Sequence, residues 1–343
     1  MRALFEHPII QAPMAGGPDT PELAAAVSNA GGLGSIGCAY LAPAQIDAVA
    51  RTLRRLTAKP FALNLFVRGE PERDPDAAAR VTPVLAPFRA ELGLGAELSA
   101  ANPEPDFAAQ LTAAIAARPA VISFTFGAPT REQVAAVRAA DIVTIGTATT
   151  VAEADALVAL GVDAICAQGG EAGGHRGTFL GSFEDALIGT LPLVRQIVAR
   201  VALPVFAAGG IMDGAGIRAA LALGAAGAQL GTAFMCCPEA GTTAAHRTAL
   251  ATATATTVTR AFSGRPARGI RNRMTDAFVA VEAAPFPQQQ HLTQDIRRAA
   301  AAAGRTDLMQ LWAGQGAPLV RELPAAELVH VLAAEAGLTA TAP

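Results

Sequence analysis

Along most of the chain, short runs of consecutive apolar residues alternate with longer stretches in which small apolar residues recur at helical spacing. An apolar run of about four to eight residues, bounded by Gly, Pro, Thr or Asp, suits a strand buried on both faces, as in a parallel sheet crossed by helices. Eight such runs begin near Ile9 (IIQAP), Leu33 (LGSIG), Phe61 (FALNLF), Val121 (VISFTFG), Ile142 (IVTIG), Asp163 (DAICAQ), Pro204 (PVFAAGG) and Ala226 (AGAQLGT). Their spacing is that of one strand–helix unit, except after the third and sixth runs. The third interval holds the proline- and charge-rich GEPERDPD with additional helix, and the sixth holds the glycine-rich QGGEAGGHRGTFLG. Eight parallel strands with intervening helices predict an α/β chain folded as a (β/α)8 TIM barrel, with its site formed by the loops that follow the strands.

The repeat is lost near residue 240. Residues 1–240 are therefore expected to form the barrel, and 241–343 a mainly helical C-terminal cap beside its mouth, ending in a helix over 325–336. Asp19-Thr20-Pro21-Glu22 combines capping residues, an early proline and an acidic first turn, which marks a helix start. Thr130-Arg131-Glu132 and Asp213-Gly214 are weaker starts of the same kind. Residues 219–238 lack charge over about the length of a membrane-spanning helix. Gly224, Gly227, Gln229 and Gly231 interrupt them, so they read as a helix end, a turn and a short strand.

Composition narrows the chemistry. The 343 residues are 52% hydrophobic and 16% charged, with a net charge of −3. That balance excludes a disordered chain and offers no basic field for nucleic acid, leaving a small molecule as the expected partner. Lys59 is the only lysine, which argues against Schiff-base chemistry. Cys38, Cys166, Cys236 and Cys237 have neither CxxC nor nearby histidine spacing, so no metal and no disulfide framework is expected. Glu6 and His7 break the N-terminal apolar stretch that a signal peptide would need, which favours a reduced, cytoplasmic chain.

Gly32-Leu33-Gly34-Ser35-Ile36-Gly37 matches GxGxxG but leads from helix into strand, the reverse of the dinucleotide fingerprint, and reads instead as tight packing. Ala208-Gly209-Gly210-Ile211 and Gln229-Leu230-Gly231-Thr232 follow the last two strands, where barrels commonly bind phosphate on backbone N–H groups. The loop from Gln168 to Gly177 has four glycines before His175, which is poor structural material and points to a geometric requirement. His175 can serve there as a general base or as a donor to an anionic substrate. Asn64 and Gln168, at strand ends, can each donate and accept hydrogen bonds to a flat heteroaromatic ring. Met14 can pack on such a ring. Arg265, Arg268, Arg271 and Arg273 read as a solvated face or a carboxylate site.

PIIQAPMAGG (8–17), FALNLF with Asn64, AQGGEAGGHRG (167–177), FAAGGIMDG (206–214), AQLGTAF (228–234), SGRPARGIRNR (263–273) and LWAGQG (311–316) occur in one order along nearly the whole chain. In this the sequence resembles the nitronate monooxygenases, specifically the bacterial class I enzymes once called 2-nitropropane dioxygenases. The flavin-binding parts alone are shared with FMN-dependent enoyl-ACP reductases, and an NAD(P)H-dependent reductase is the alternative. The resemblance implies non-covalent FMN, a nitronate substrate such as propionate 3-nitronate, O2 as co-substrate, and carbonyl plus nitrite or nitrate as products. It assigns Met14, Asn64, Gln168 and Gly173 to the flavin, and Gly210, Gln229, Leu230, Gly231 and Thr232 to its phosphate end. His175 becomes the active-site histidine, while Gln289 and Trp312 fall in the cap. FPQQQHL departs from the tyrosine- and proline-containing version of that stretch. No nucleic acid, membrane or metal is implied, and association as a homodimer is left open.

Overall fold

The computed structural model describes residues 4–67, 69, 72–96 and 105–338; positions 70 and 71 of GEPERDPD lie outside them. All eight anticipated strands form. They are β1 (Ile9–Gln11), β2 (Gly34–Gly37), β3 (Phe61–Phe66), β4 (Val121–Thr125), β5 (Val143–Ala148) and β6 (Ala164–Gln168), followed, after a two-residue strand β7 (Gly174–His175) outside the barrel, by β8 (Val205–Ala208) and β9 (Gly227–Leu230). The parallel order β1-β9-β8-β6-β5-β4-β3-β2 is closed into a ring by an Ile10↔Leu33 bridge. That seam is thin, and the buried Gln11 reinforces it by accepting the Ser35 N–H at 2.9 Å.

Ile10, Leu33, Ala62, Val121, Ile145, Ala164, Cys166, Phe206 and Ala208 fill the barrel interior. Helices α1 (Pro21–Asn29), α2 (Pro43–Leu56), α3 (Ala77–Glu91), α4 (Phe107–Ala116), α5 (Arg131–Ala139), α6 (Val151–Leu160), α7 (Thr190–Arg200) and α8 (Gly214–Ala222) occupy the crossovers. The expected capping operates at α1, where Thr20 Oγ1 accepts the Leu23 N–H and Pro21 opens the first turn. Asp213 caps α8 through the Gly216 N–H. Residues 219–238 resolve into the end of α8, then β9 and a 3-10 turn at Thr232–Phe234. No described helix is long and apolar enough to cross a membrane. At Gly34 a Cβ would fall 1.9 Å from the Ala24 carbonyl oxygen of α1, so the glycines of the GxGxxG match serve helix-on-strand contact.

Beyond the barrel strands come α9 (Ala244–Ala251), β10 (Thr256–Thr259), β11 (Ala267–Ile270), α10 (Arg273–Ala277), α11 (Gln288–Leu292), α12 (Gln294–Ala302) and α13 (Ala325–Glu335). The cap is not helical throughout, because β10 and β11 form a hairpin whose second strand pairs with β7. It also recruits α3, whose Val81, Leu85 and Phe88 share a core with Phe262, Met274, Ile296 and Leu308. The final helix does not lie over the mouth. Leu328, Val329 and Leu332 of α13 are buried with Leu23 and Val27 of α1 and Ile217 of α8, so α13 completes the barrel's outer layer. Each such side chain contributes about 1.5–3 kcal/mol on burial.

Candidate active site

The strand-end loops enclose a cavity of about 650 Å³, and Met14, Asn64, Gln168, Gly173, His175, Gly210, Gln229, Leu230, Gly231 and Thr232 all line it. Its roof comes from the α11–α12 segment, which supplies Gln290, Gln294 and Arg297, and from Trp312.

At one end the turns after β8 and β9 meet. Gly209 (φ +129) and Gly210 (φ +69) adopt backbone that favours glycine. The backbone N–H groups of Gly210, Gly231 and Thr232 have no protein acceptor among the described residues. Three backbone N–H groups without protein acceptors on one cavity wall make a natural seat for an oxyanion. The Thr232 hydroxyl accepts the Gly314 N–H at 2.9 Å, which ties the turn to LWAGQG.

At the other end stands His175. Its loop folds into β7, which pairs with β11 through Ala267↔His175 and Arg268↔Gly174. Gln168 clasps the same loop, donating to the His175 carbonyl at 3.0 Å and accepting the Gly177 N–H at 2.8 Å. The buried Arg176 donates to the carbonyls of Gly169, Gln168 and Ala186. Arg265 donates to the carbonyls of Arg176 and Thr178, one on each side of Gly177. The imidazole Nε2 lies 2.8 Å from Ser263 Oγ. Phe126 meets the His175 ring edge-on at 5.5 Å and stacks on Phe66 at 3.9 Å. The Arg265 guanidinium sits 3.9 Å from the Phe126 centroid. Phe126 has φ +77, a strained conformation for a residue other than glycine and one that gathers at functional sites. Burial, and then the nearby Arg265 and Arg297 charges, push the His175 pKa down to about 3, so the ring is neutral near pH 7.

Several of these residues also make contacts that the sequence does not show. Gln168 spends one donor and one acceptor on the His175 loop. A Cβ on Gly173 would lie 2.5 Å from the Gly314 N, so the close approach this glycine permits is to the LWAGQG backbone. Gln289 is fully buried between the Ala284 N–H and the Ala261 carbonyl and does not line the cavity, whereas Trp312 does line it. The arginine run divides: Arg265 and Arg268 are turned inward onto loop carbonyls, while Arg271 and Arg273 form exposed ion pairs with Asp276, Glu91 and Asp307. Ser263, Phe66, Phe126 and Tyr40 escaped the sequence reading. Phe126, inside VISFTFG, carried the strand-end signal that would have found it.

A second imidazole supplies a pH test. His246 is buried with Nε2 3.2 Å from the Trp312 carbonyl, and burial lowers its pKa to about 4. The unfolded chain takes up this proton near pH 6.5 and the folded chain only near 4, so the stability linked to His246 is whole above about 6.5 and is lost as pH falls toward 4. His246→Gln is expected to flatten the acid loss, by about 2 kcal/mol at pH 4.5. Thermal unfolding at pH 7.5 and 4.5 measures it, and an unchanged slope would refute the assignment.

Comparison with known proteins places these features in a family. A sequence model of the family described as nitronate monooxygenase matches residues 1–335. A nitronate monooxygenase of Pseudomonas aeruginosa is 49% identical over 341 residues, covering 96% of each chain. The crystal structure of a nitroalkane oxidase from Streptomyces ansochromogenes superposes with a TM-score of 0.93 at 44% identity, covering 98% of this chain and 97% of that one. FabK from Thermotoga maritima is more distant, with a TM-score of 0.75 at 27% identity and coverage of 98% and 94%.

Proposed function

Because the chain belongs to the nitronate monooxygenase family, we propose that this oxidoreductase uses FMN and O2 to convert alkyl nitronates, such as propionate 3-nitronate, into carbonyl compounds with release of nitrite or nitrate. The residues fit the flavin. The three N–H groups without protein acceptors suit its phosphate, and the cavity volume lies in the range of cofactor sites. Gly210, Gly231 and Thr232, with Gln229 and the Leu230 backbone beside them, would hold the phosphate end. Met14, Asn64, Gln168 and Gly173 would flank the ring. Asn64 gives its N–H2 to Ser123 and Thr125, which leaves its oxygen to accept. Bound there, FMN supplies electron acceptance and the reaction with oxygen.

The observation that carries the substrate reading is the electrostatics around His175. The same cationic neighbours that oppose protonation of this ring favour an anion beside it. Arg297 donates to Gln310 Oε1 at 2.6 Å, to the Gln290 carbonyl at 2.9 Å and to Thr293 Oγ1 at 3.1 Å. No carboxylate pairs with it among the described residues. A nitronate is an anion with its charge spread over two oxygens, so a neutral N–H donor beside an uncompensated guanidinium binds it without first having to remove a proton. The walls of Phe66, Phe126 and Trp312 exclude water and strengthen these interactions.

Anaerobic rapid mixing tests the reading. Propionate 3-nitronate is expected to bleach the flavin absorbance within one turnover time, and NADH or NADPH to leave it unchanged. Bleaching by a nicotinamide nucleotide with none by nitronates would overturn the proposal and make the protein a reductase.

A further inference from the structure

Ser263 is 3% exposed and does not line the cavity, yet its hydroxyl is the only described protein group bonded to the ring nitrogens of His175. The oxygen already accepts the Arg265 N–H at 3.3 Å. Its single hydrogen then has two destinations, the Arg265 carbonyl at 3.2 Å and His175 Nε2 at 2.8 Å. The shorter contact is the one to the ring. A neutral imidazole must carry one nitrogen as acceptor and one as donor. With Nε2–H bonded to Ser263 instead, the Nδ1 lone pair would face the cavity, where it would repel an anion.

From this geometry we infer that Ser263 is a positioning residue that donates its hydroxyl hydrogen to Nε2 and so holds His175 as the Nδ1–H tautomer, with Nδ1–H as the group offered to the cavity. Nδ1 bonds to no described protein group and is not among the occluded polar atoms without a partner, so it opens to the cavity. A ring flip that would exchange the two nitrogens is hindered on both sides, by the Phe126 edge at 5.5 Å and by Trp312 at 5.3 Å. The inference rests on the nitronate reading for its purpose: Nδ1–H donates to a nitronate oxygen and keeps its proton throughout. Selection for an anion is thereby encoded one residue behind the site, in the SGRPARG segment.

The ¹⁵N chemical shifts of His175 in ¹⁵N-histidine-labelled, flavin-loaded protein read the tautomer without turnover, with assignment by the signal missing from His175→Phe. The wild type is expected to show a protonated Nδ1 and an unprotonated Nε2. Ser263→Ala should become a mixture of tautomers and lose about tenfold in kcat/KM for a nitronate at unchanged flavin content, a factor typical of one hydrogen bond. Ser263→Thr should restore both readings. A protonated Nε2 in the wild type overturns the inference, and that reading does not depend on any Ser263 variant. A wild-type tautomer ratio in Ser263→Ala also overturns it. The Nδ1–H signature in a protein that oxidises no nitronate would sustain the tautomer and defeat the functional reading instead.

Discussion

His175→Phe is expected to cut kcat/KM for a nitronate by about 10²-fold or more while the protein remains fully loaded with flavin. Phenylalanine keeps a ring between Phe126 and Trp312 but removes the donor from the cavity. The loss should therefore fall on turnover and not on the phosphate end, which is built from different strands. His175→Asn should retain more activity, because its amide reaches the Nδ1 position while giving up Ser263. Oxygen consumption normalised to bound flavin separates the effects. Equal activity per flavin in His175→Phe and the wild type would remove the histidine from the chemistry.

The second large effect is on cofactor retention. Gly210 has φ +69, and a Cβ there would lie 3.1 Å from Glu171 Cβ. A β-branched residue in this conformation costs about 1–3 kcal/mol, and the turn can relieve that strain only by rotating the Gly210 N–H away from the cavity. Gly210→Val is expected to weaken FMN affinity by about 100-fold, and Gly210→Asn by much less, since asparagine tolerates the left-handed region. Flavin-fluorescence titration of stripped protein measures both. Equal losses would show that bulk, and not backbone conformation, governs the site.

The barrel was legible because each strand is buried on both faces and so reads as an uninterrupted apolar run, and the loops after β6, β8 and β9 announced themselves through glycine. The site residues taken from those loops and from the ends of β1 and β3 all reach one cavity. What could not be read is direction. Arg265, Arg268, Arg271 and Arg273 look alike along the chain, yet the first two are drawn inward by unpaired loop carbonyls and the last two are held outside by carboxylates. The 325–336 stretch showed a helix but not its partner. Its apolar face belongs with α1 and α8, more than 100 residues distant in sequence, and no local pattern encodes such a pairing. Ser263 left no signal because a serine is short and common, and only the 88-residue separation closed by the fold brings it to His175.

In the proposed function the cavity would grip a flavin by its phosphate and face it with a neutral imidazole. Parallel titration of flavin-stripped protein with FMN and with riboflavin, which lacks only the phosphate, tests that grip directly. Charge-assisted bonds from the N–H groups of Gly210, Gly231 and Thr232 predict that FMN binds at least about 100-fold more tightly. Equal affinities, or no uptake of either flavin, would contradict it.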